Sequence, residues 1–512
     1  MTLKHYPVVI VGAGPSGMTA ASLLGRYSTN CLVLDRWASV FAQPRAVHLD
    51  DEICRILGDL GIAEEFGSIS RAGQGLRLID SDMSTIAEFT RNPTEQPHGF
   101  PAANMFDQPA LEAVLRARMD QGGNVTFRGH CEVSDVINER DTVRVIYTER
   151  ATGRVHSVTA DYVLGCDGAN SVVRSAIGSR MTHLGFEQRW LVVDIATTAD
   201  LQLWDGVHQL CDPHRAGTYM RIGETRYRWE FRLQDHETVD DYRDLDTLRP
   251  LFDPWLGAVV NSEMDLIRVA EYTFHAQVAD RWRDRRVFLL GDAAHLTPPF
   301  IGQGLGAGLR DAKNLMWKLV AVREGLLPES ALDSYQIERG PHATAMIKRA
   351  VMVGWAMTGG GHRTAEVRKR ILPPLTKLPG ITAKVTDSAT PSLRTSQFVR
   401  RGVPTIHGLA GTLCPNALVD KSTRFDEIAP DQTVVVTMTP PSDGQRREMT
   451  RRGAHVLVVD ESSTLGTWLR RGRSCAAIVR PDRTVVASSR SLSSLHTRVP
   501  MLPVPVGAAR PA

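Results

Sequence analysis

The stretch that decides the fold is Val287–Lys318, VFLLGDAAHLTPPFIGQGLGAGLRDAKNLMWK. Its apolar start predicts a buried strand that ends at Gly291, and a helix is predicted beyond the loop that holds two prolines. The entrance of that helix is rich in glycine: Gly302, Gly304, Gly306 and Gly308. Because glycine has no side chain, a flat or anionic ligand can approach the helix N–H groups closely. A tight turn with close helix packing would also use these glycines, so a second motif must decide between the two interpretations.

The second motif lies at the start of the chain, where Val8–Gly17 reads VVIVGAGPSG. Gly12, Gly14 and Gly17 have the G-x-G-x-x-G spacing directly after a short apolar strand. A helical pattern and a second strand follow, and that strand ends in Asp35, 18 residues after Gly17 (35 − 17). In the dinucleotide-binding fingerprint, the glycines admit a pyrophosphate and the acid binds ribose hydroxyls. The motif predicts a Rossmann-like domain without distinguishing FAD from NAD.

Length and composition exclude several classes of protein. With 512 residues and 42% hydrophobic content, the chain can bury more than one core. The net charge of +3 and the lack of basic clusters interleaved with aromatic residues argue against nucleic acid as a partner. The seven scattered cysteines form no C-x-x-C pair, which favours a reducing cytoplasm and no metal site. The apolar runs are too short for a bilayer and no signal peptide is recognisable, so we expect a cytoplasmic protein without membrane contact.

Three motifs occur together in the order of a known enzyme family. They are Val8–Gly17, CDGANSVVR at Cys166–Arg174 and GDAAHLTPP at Gly291–Pro299. With this combination the chain resembles the class A flavoprotein aromatic hydroxylases, the group of p-hydroxybenzoate hydroxylase and phenol hydroxylase. PRAVHLDDE (Pro44–Glu52) and FDQPALEAVLR (Phe106–Arg116) are most similar to the 3-(3-hydroxyphenyl)propionate hydroxylase branch. The resemblance covers roughly the first four-fifths of the chain and implies FAD as the cofactor.

The resemblance also implies an α/β architecture. We expect a Rossmann-like FAD-binding domain with an inserted antiparallel-sheet substrate domain and a C-terminal thioredoxin-like α/β module. The last module lacks C-x-x-C, so packing or dimerisation, which admits a homodimer, is its expected role rather than dithiol chemistry. The predicted segments are 1–180 (FAD-binding domain, with 70–105 partly contributing to the substrate sheet), 181–280 (substrate-binding β-sheet domain), 281–385 (FAD-binding domain continued and long helices), 386–404 (linker) and 405–512 (thioredoxin-like module).

One strand of the predicted substrate domain has a clear apolar face. The segment Arg226–Leu233, RYRWEFRL, places Tyr227, Trp229, Phe231 and Leu233 on the same side. That face fits an ordinary sheet core. By resemblance to the sheet that roofs the substrate pocket, Tyr227 and Trp229 are also candidates for contact with the substrate.

The resemblance assigns roles to individual residues. Those implied to bind FAD are Gly12, Gly14, Ser16, Gly17, Asp35, Arg36, Arg45, Gln108, Asp167, Asp292, Pro299, Gly302, Gly304 and Leu305. Those implied to be catalytic are Arg45, His48 and Pro299, and those implied to contact the substrate are His48, Tyr227, Trp229 and Pro298. Structural roles compete with these assignments: a surface salt bridge for Arg45, a capping or core role for His48, a helix-entry polar role for Gln108 and an N-cap for Asp167.

A catalytic cycle follows from the same resemblance. NADH or NADPH reduces FAD transiently, which agrees with the absence of a second complete dinucleotide motif. Dioxygen then forms the flavin C4a-hydroperoxide, and a phenolic ring attacks it and becomes hydroxylated. A phenolate is more nucleophilic than a phenol, so a base or a hydrogen-bond relay is expected, and the sequence identifies no residue for it. Gly306 stands where p-hydroxybenzoate hydroxylase has an asparagine, so a side-chain contact made there must be absent or replaced.

Other functions remain open at this point. The favoured substrate is a hydroxyphenylpropionate-type phenolic acid, and a tailoring hydroxylase for an aromatic polyketide or another natural product shares every motif. A flavin oxidase or dehydrogenase would form its product without inserting oxygen. A dinucleotide-fold binding protein without catalysis is disfavoured by the three cofactor motifs. Sequence alone does not decide the choice between NADH and NADPH.

Overall fold

The computed structural model describes residues 3–40, 46–92, 96, 98–121, 123–257, 259–359, 367, 370, 390–401 and 408–502. The strands are β1 Lys4–Val11, β2 Cys31–Leu34, β3 His48–Leu49, β4 Ser70–Ala72, β5 Gly75–Ile79, β6 Thr85–Thr90, β7 Asn104–Phe106, β8 Val125–Arg128, β9 Cys131–Asn138, β10 Val143–Glu149, β11 Arg154–Gly165, β12 Met181–Ala196, β13 Val207–Leu210, β14 Gly217–Arg221, β15 Arg226–Arg232, β16 Asp265–Ala279, β17 Arg283–Asp284, β18 Val287–Leu289, β19 His295–Leu296, β20 Thr433–Thr437, β21 Ala454–Val458, β22 Ala476–Val479 and β23 Val485–Ser489.

The α-helices alternate with these strands in the first half of the chain. They are α1 Pro15–Arg26, α2 Asp51–Asp59, α3 Ala63–Ile69, α4 Gln108–Asp120, α5 Val172–Ala176, α6 Leu245–Leu256, α7 Gly304–Arg323, α8 Ser334–Thr358, α9 Phe425–Ile428, α10 Asp443–Arg451 and α11 Thr464–Arg471. None of the described helices is long and apolar enough to cross a bilayer.

The first large sheet is the predicted Rossmann-like sheet. Its main path runs β17-β18-β11-β1-β2-β8, and the strands from β18 to β8 are parallel. The central strand β1 is buried from Val8 to Val11, as expected for a parallel strand with both faces covered. The carboxyl ends of β1, β2, β11 and β18 therefore meet at one edge of the sheet. At such an edge, open α/β folds bind their ligands.

The second large sheet is the predicted antiparallel substrate sheet. Its order is β19-β16-β12-β15-β14-β13-β5-β6, and among these pairs only β13 and β5 run parallel. One face of β15 packs on α6, where the ring centroids of Trp229 and Phe252 lie 5.4 Å apart. This packing commits one face of the sheet to a hydrophobic core and leaves the other face for a ligand.

The C-terminal module has its own four-stranded sheet in the order β21-β20-β22-β23. The pair β20 and β21 is parallel, whereas β22 and β23 run antiparallel to their neighbours, in agreement with the thioredoxin-like prediction. Buried ion pairs join this module to the helices of the first domain: Arg55–Asp426 at 2.8 Å, Lys313–Asp431 at 2.7 Å and Arg480–Glu338 at 2.7 Å.

Candidate active site

A large cavity is lined by residues from both large sheets and has a volume of about 1150 Å³. Pockets for single small ligands measure roughly 300–1,000 Å³. The edge of the first sheet supplies one part of the lining, including Gly12, Gly14 and Asp35, and the substrate sheet supplies Arg228 and Arg268. The size and the two-part lining suit a dinucleotide cofactor together with a second, smaller molecule.

The three positions of the first motif require glycine for different structural reasons. Gly12 has a φ of +101°, and a β-carbon there would overlap the carbonyl oxygen of Cys166. A β-carbon at Gly17 would overlap the carbonyl oxygen of Gly12. At Gly14, in contrast, an added β-carbon would meet no protein atom within 4 Å. Gly12 and Gly17 are therefore required by the packing of the chain itself, whereas Gly14 keeps space free at the cavity.

The first turn of α1 suits the pyrophosphate of FAD. Gly14 is the N-cap residue and provides no side-chain hydrogen bond to the helix N–H groups. Those N–H groups and the helix dipole favour an anion at this end. At the neighbouring strand end, Asp35 accepts hydrogen bonds from the backbone N–H groups of Ala13 at 2.6 Å and Trp37 at 2.7 Å. Its carboxylate is thus held at the cavity wall, where the fingerprint expects a ribose.

The glycines of the decisive stretch bring α7 close to α1. A β-carbon at Gly291 would lie 2.6 Å from Ser16 Oγ, and one at Gly308 would overlap the same oxygen. Ser16 therefore occupies the space between the two motifs and also lines the cavity. The half-buried Asp292 comes directly after Gly291 and lines the cavity as well. The two glycine motifs therefore lie side by side at the wall of the cavity.

Asp167 is not the N-cap of α5, the structural role that the sequence left open, but it binds Ser171, which is the N-cap. Its carboxylate accepts hydrogen bonds from Ser171 Oγ at 2.5 Å and from the backbone N–H of Val173 at 3.1 Å. Ser171 in turn caps α5 by accepting from the N–H of Arg174 at 2.9 Å. Burial raises the pKa of Asp167 above its usual value. The residue shapes the turn at the helix entrance and at the same time lines the cavity.

His48 lies where the strand β3 meets the loop before α7. Its Nδ1 is 3.5 Å from the carbonyl oxygen of Gly302, and a β-carbon at Gly302 would lie only 2.8 Å from that nitrogen. Its Nε2 is buried and finds no hydrogen-bond partner in the described part of the chain. Burial, and then the positive charge of Arg91, lower the pKa of His48 to about 4. At neutral pH the cavity is thus lined by an uncharged imidazole.

The substrate sheet forms the roof of the cavity, and the residues of β15 that face the cavity are polar rather than aromatic. Tyr227 and Trp229 are 4% and 0% exposed and belong to the core against α6, so their predicted contact with the substrate is wrong. Successive residues of a strand point to opposite faces, and Arg228 and Glu230 consequently line the cavity. The apolar pattern located the strand correctly but marked the face that packs inside the protein.

A cluster of charges crosses three strands of this roof. Asp194 on β12 pairs with Arg228 through contacts of 2.6 and 2.9 Å, and with Arg268 at 3.3 Å. Arg268 Nη1 donates a hydrogen bond to the hydroxyl of Tyr272 at 3.2 Å. The Nε and Nη2 atoms of Arg268 are buried without a hydrogen-bond acceptor among the described residues, and burial lowers its pKa. Arg268 Nη2 is therefore available to donate to a ligand in the cavity, whereas Nε already faces the Asp194 carboxylate.

Comparison with known proteins identifies the family. Residues 5–350 match the family described as FAD binding domain. A probable NADH-specific resorcinol 4-hydroxylase of Rhodococcus jostii (strain RHA1) is 32% identical over 96% of this chain and 93% of its own length. A 3-(3-hydroxy-phenyl)propionate/3-hydroxycinnamic acid hydroxylase of Burkholderia cenocepacia (strain HI2424) is 31% identical over 94% of this chain and 93% of its own. The chain belongs to the family of FAD-dependent aromatic hydroxylases that contains these relatives. It is an FAD-dependent aromatic hydroxylase that uses NAD(P)H.

Solved structures have the same fold as the hydroxylase. The flavin-dependent monooxygenase PieE, in complex with FAD and substrate, has a TM-score of 0.79 and 22% identity and covers 97% of this chain and 98% of its own. Aklavinone-11 hydroxylase, with FAD and aklavinone, has a TM-score of 0.80 and 21% identity and covers 98% and 100%. Together with the family match, these likenesses confirm the predicted fold class.

The remaining predicted residues of the hydroxylase have the following places. Gln108 lines the cavity, where its Oε1 accepts from the N–H of Ala46 at 2.7 Å and its Nε2 donates to Glu112 at 2.6 Å. Pro298 is buried and is not part of the cavity wall, in contrast to its predicted contact with the substrate. Arg45 lies outside the described residues. The other cavity-lining members of the predicted set are Arg36, Pro299, Gly302, Gly304 and Leu305.

Asp311 supports the active site of the hydroxylase although the sequence reading did not select it. It is fully buried in α7 and accepts from the backbone N–H of Gly291 at 3.1 Å, next to Asp292. It also contacts His295 Nε2 at 2.7 Å and Arg339 Nε at 2.8 Å. Burial opposes its charge, but His295 and Arg339 lower its pKa below the usual value. Its neighbours in the helix include Arg310, Lys313 and Lys318, so the local sequence does not distinguish Asp311 from an exposed charge.

An apolar wall of the cavity was also missed. It combines aromatic rings of the substrate sheet and the α7 loop with methionines of α8: Trp190, Phe274, Phe300, Met346, Met352 and Met357. The ring centroids of Trp190 and Phe300 lie 6.0 Å apart. Flexible methionine side chains adapt to irregular apolar ligands. Nothing in the local sequence of α8 indicates which of its turns faces the cavity.

One group of described side chains could offer three metal-ligand atoms within 4.8 Å of one another: His183, Glu187 and His275. The backbone N–H of Gly185 donates to His183 Nδ1 at 3.0 Å. In the neutral ring the proton is therefore on Nε2, the nitrogen that lies 3.6 Å from Glu187. With Nδ1 already accepting and the proton on Nε2, the neutral His183 has no free lone pair for a metal ion.

Proposed function

We propose that this hydroxylase acts on a phenolic acid of the hydroxyphenylpropionate type, with an anionic carboxylate at one end and a phenol at the other. The observation that carries the proposal is the buried Arg268, which lines the cavity and whose Nη2 makes no hydrogen bond among the described residues, while its Nε faces Asp194 at 3.3 Å. A planar guanidinium binds a carboxylate through two parallel hydrogen bonds. The relative from Burkholderia cenocepacia, whose name gives a phenylpropionate substrate, supports the same choice.

The cofactor would occupy the part of the cavity at the edge of the first sheet. The first turn of α1 at Gly14 would bind the pyrophosphate, and Asp35 would bind the adenosine ribose. Asp292 and Gln108 would bind the ribityl chain or the pyrophosphate. The first turn of α7 at Gly304, with its positive helix end, would stabilise negative charge on the reduced ring. FAD reduced by NADH or NADPH supplies the activated oxygen that is transferred to the phenol.

The protein side chains then orient the phenol and exclude water. Pro299 and Leu305 would form the wall beside the isoalloxazine ring. His48, uncharged and with a free Nε2, would hydrogen-bond to the substrate or to the edge of the ring. The apolar wall made by Trp190, Phe300 and the methionines would enclose the aromatic ring of the substrate. In this arrangement binding energy positions the reacting carbon, which is a main source of rate enhancement in enzymes.

A substitution at Arg268 tests the choice of substrate. Arg268→Met should raise KM for 3-(3-hydroxyphenyl)propionate by about 10–100-fold, because a charge-assisted hydrogen bond contributes roughly 1.5–3 kcal/mol. KM for the corresponding neutral amide should stay within about 3-fold, and Arg268→Lys should recover part of the loss for the acid. Equal losses for acid and amide would refute the carboxylate contact.

A second candidate function is hydroxylation of a larger, neutral aromatic compound. The observation in its favour is the extended apolar wall in a cavity of about 1150 Å³. Resorcinol and polycyclic phenols therefore belong in the same assay. A high kcat/KM for one of them, unaffected by Arg268→Met, would establish this second function instead.

The C-terminal module is proposed to act by packing. The support is its set of buried ion pairs, among them Arg480–Glu338, in which both side chains are 0% exposed. All seven cysteines are free, and the sequence contains no C-x-x-C pair. These features support a structural role and a location in the cytoplasm, where thiols stay reduced.

A further inference from the structure

Glu230 is a buried carboxyl group in the middle of the cavity roof. It lies on β15, opposite Val192 of β12 and Thr218 of β14, and all three residues line the cavity. Its side chain is 8% exposed. Burying a carboxylate without partners costs free energy, so a group in this position calls for an explanation.

The charged residues around Glu230 pair mainly with one another. Its ion pair among the described residues is with Arg228, whose Nη1 lies 4.0 Å from Glu230 Oε1, beyond hydrogen-bond distance. Arg228 itself is bound through two contacts to Asp194, which also faces Arg268. Burial raises the pKa of Glu230. The positive charges of Arg228 and Arg268 lower it, and the negative charge of Asp194 raises it further. The carboxylate of Glu230 is therefore a stronger proton acceptor than that of an exposed glutamate.

We propose that Glu230 is the catalytic base that removes the proton of the substrate phenol, an inference that rests on the proposed function above. The O–H bond of the phenol breaks, its electron pair stays on the phenol oxygen, and the proton forms an O–H bond with the Glu230 carboxylate. The products of this step are a phenolate and a neutral glutamic acid. After the oxygen transfer, the attacked ring carbon loses its proton to water and Glu230 returns its proton to the phenol oxygen.

The geometry of the sheet agrees with this assignment. Glu230 on β15 and Arg268 on β16 are separated by β12 and offset by two residues along the strands, so their backbones lie about 12 Å apart. A phenolic acid with a short side chain can span the two groups, with its carboxylate at Arg268 and its hydroxyl at Glu230. A general base must lie within hydrogen-bond reach of the proton that it removes, and Glu230 lines the same cavity as Arg268.

The test compares two substrates in single-turnover experiments with pre-reduced flavin. One is 3-(3-hydroxyphenyl)propionate, a phenol that is almost fully protonated at neutral pH, since phenols ionise near pH 10. The other is a polyfluorinated analogue that is ionised at the assay pH. Glu230→Gln should slow hydroxylation of the first by about 10²–10³-fold and of the second by less than about 3-fold, because a general base contributes roughly 10²–10⁴-fold. FAD affinity should not change.

A matched variant separates catalysis from structure. Asp194→Asn removes the neighbouring carboxylate of the same roof and should slow both substrates to a similar degree. If Glu230→Gln also slows both substrates equally, or neither, Glu230 is not the base. If Glu230→Gln does not fold, the pH–rate profile of the unsubstituted enzyme provides the test. A fall in rate at low pH for the protonated phenol, without such a fall for the ionised analogue, supports Glu230 as the base. Identical profiles for the two substrates refute it. Hydroxylation of neither substrate by the unsubstituted enzyme would refute the proposed function itself.

Discussion

Gly14→Val separates cofactor binding from folding. The position is the N-cap of α1, with φ −74° and ψ 179°, an extended conformation that valine adopts without strain. An added β-carbon meets no protein atom within 4 Å, so the valine side chain would project into the cavity. The expected loss of apoprotein stability is that of a poor N-cap residue, about 1 kcal/mol.

The effect on FAD should be much larger. Valine would prevent the pyrophosphate from reaching the N–H groups of the first turn, and each hydrogen bond to a charged group contributes roughly 1.5–3 kcal/mol. Loss of two such bonds corresponds to about 3–6 kcal/mol, or roughly a 10²–10⁴-fold increase in the Kd for FAD. Quenching of flavin fluorescence on titration of the apoprotein measures Kd, and circular dichroism measures unfolding.

A matched control comes from the same motif. Gly17→Ala adds a β-carbon that would overlap the carbonyl oxygen of Gly12, so this variant should fail to fold rather than lose only its cofactor. The reasoning would be refuted if Gly14→Val bound FAD with the original Kd, or if its apoprotein unfolded as readily as that of Gly17→Ala.

Three further predictions concern other parts of the structure. Asp292→Ala should weaken FAD binding about 10-fold or more without a change in the unfolding temperature of the apoprotein, and an unchanged Kd would remove this residue from the site. Arg480→Ala leaves Glu338 with one fewer cation in a buried cluster and should lower the free energy of unfolding in urea by about 3–5 kcal/mol. Arg451→Ala removes a surface ion pair and should change that free energy little. Similar losses in the two variants would contradict the packing role of the C-terminal module. Because the pKa of His48 is about 4 in the folded protein and 6.5 in a free histidine, unfolding takes up a proton between these values. Stability of the apoprotein should therefore fall as pH decreases from 6.5 to 4, and His48→Gln should flatten that part of the profile; an unchanged slope would show that His48 is not held neutral.

Local patterns were sufficient to locate the strands, turns and helix starts at the edge of the first sheet. The spacing of Gly12, Gly14 and Gly17, and the acid Asp35 at the end of the next strand, depend on residues close in sequence. The same holds for the strand, turn and helix around Asp292. Each of these features is fixed by backbone geometry over about 30 residues, which is the range that motif reasoning covers.

The substrate end could not be predicted in the same way. The strand that carries Tyr227 and Trp229 was located correctly, yet the helix that covers its apolar face, α6, decides that Arg228 and Glu230 point to the cavity. Such a choice depends on packing between distant segments, for which alternation along one strand gives no information. The apolar pattern therefore selected the residues of the wrong face.

The burial of charged residues also depends on packing between distant segments. Lys313 of α7 pairs with Asp431, 118 residues further along the chain, and Glu338 of α8 pairs with Arg480, 142 residues away. From sequence, a lysine or a glutamate in a helix is most often expected at the surface. Inside the protein Lys313 also pairs with Asp59 and Glu338 with Lys318, and the docked C-terminal module adds a second partner to each charge.

The central claim is that this flavoprotein inserts oxygen into a phenolic acid, and product analysis under isotopically labelled dioxygen tests it most directly. The purified, FAD-loaded protein is supplied with NADH or NADPH and 3-(3-hydroxyphenyl)propionate, and product, peroxide and consumed nicotinamide are quantified together. We predict one labelled oxygen atom in a hydroxylated product and close to one product molecule per nicotinamide consumed. Unlabelled product, or nicotinamide oxidation that yields only peroxide with every phenolic acid supplied, would contradict the account.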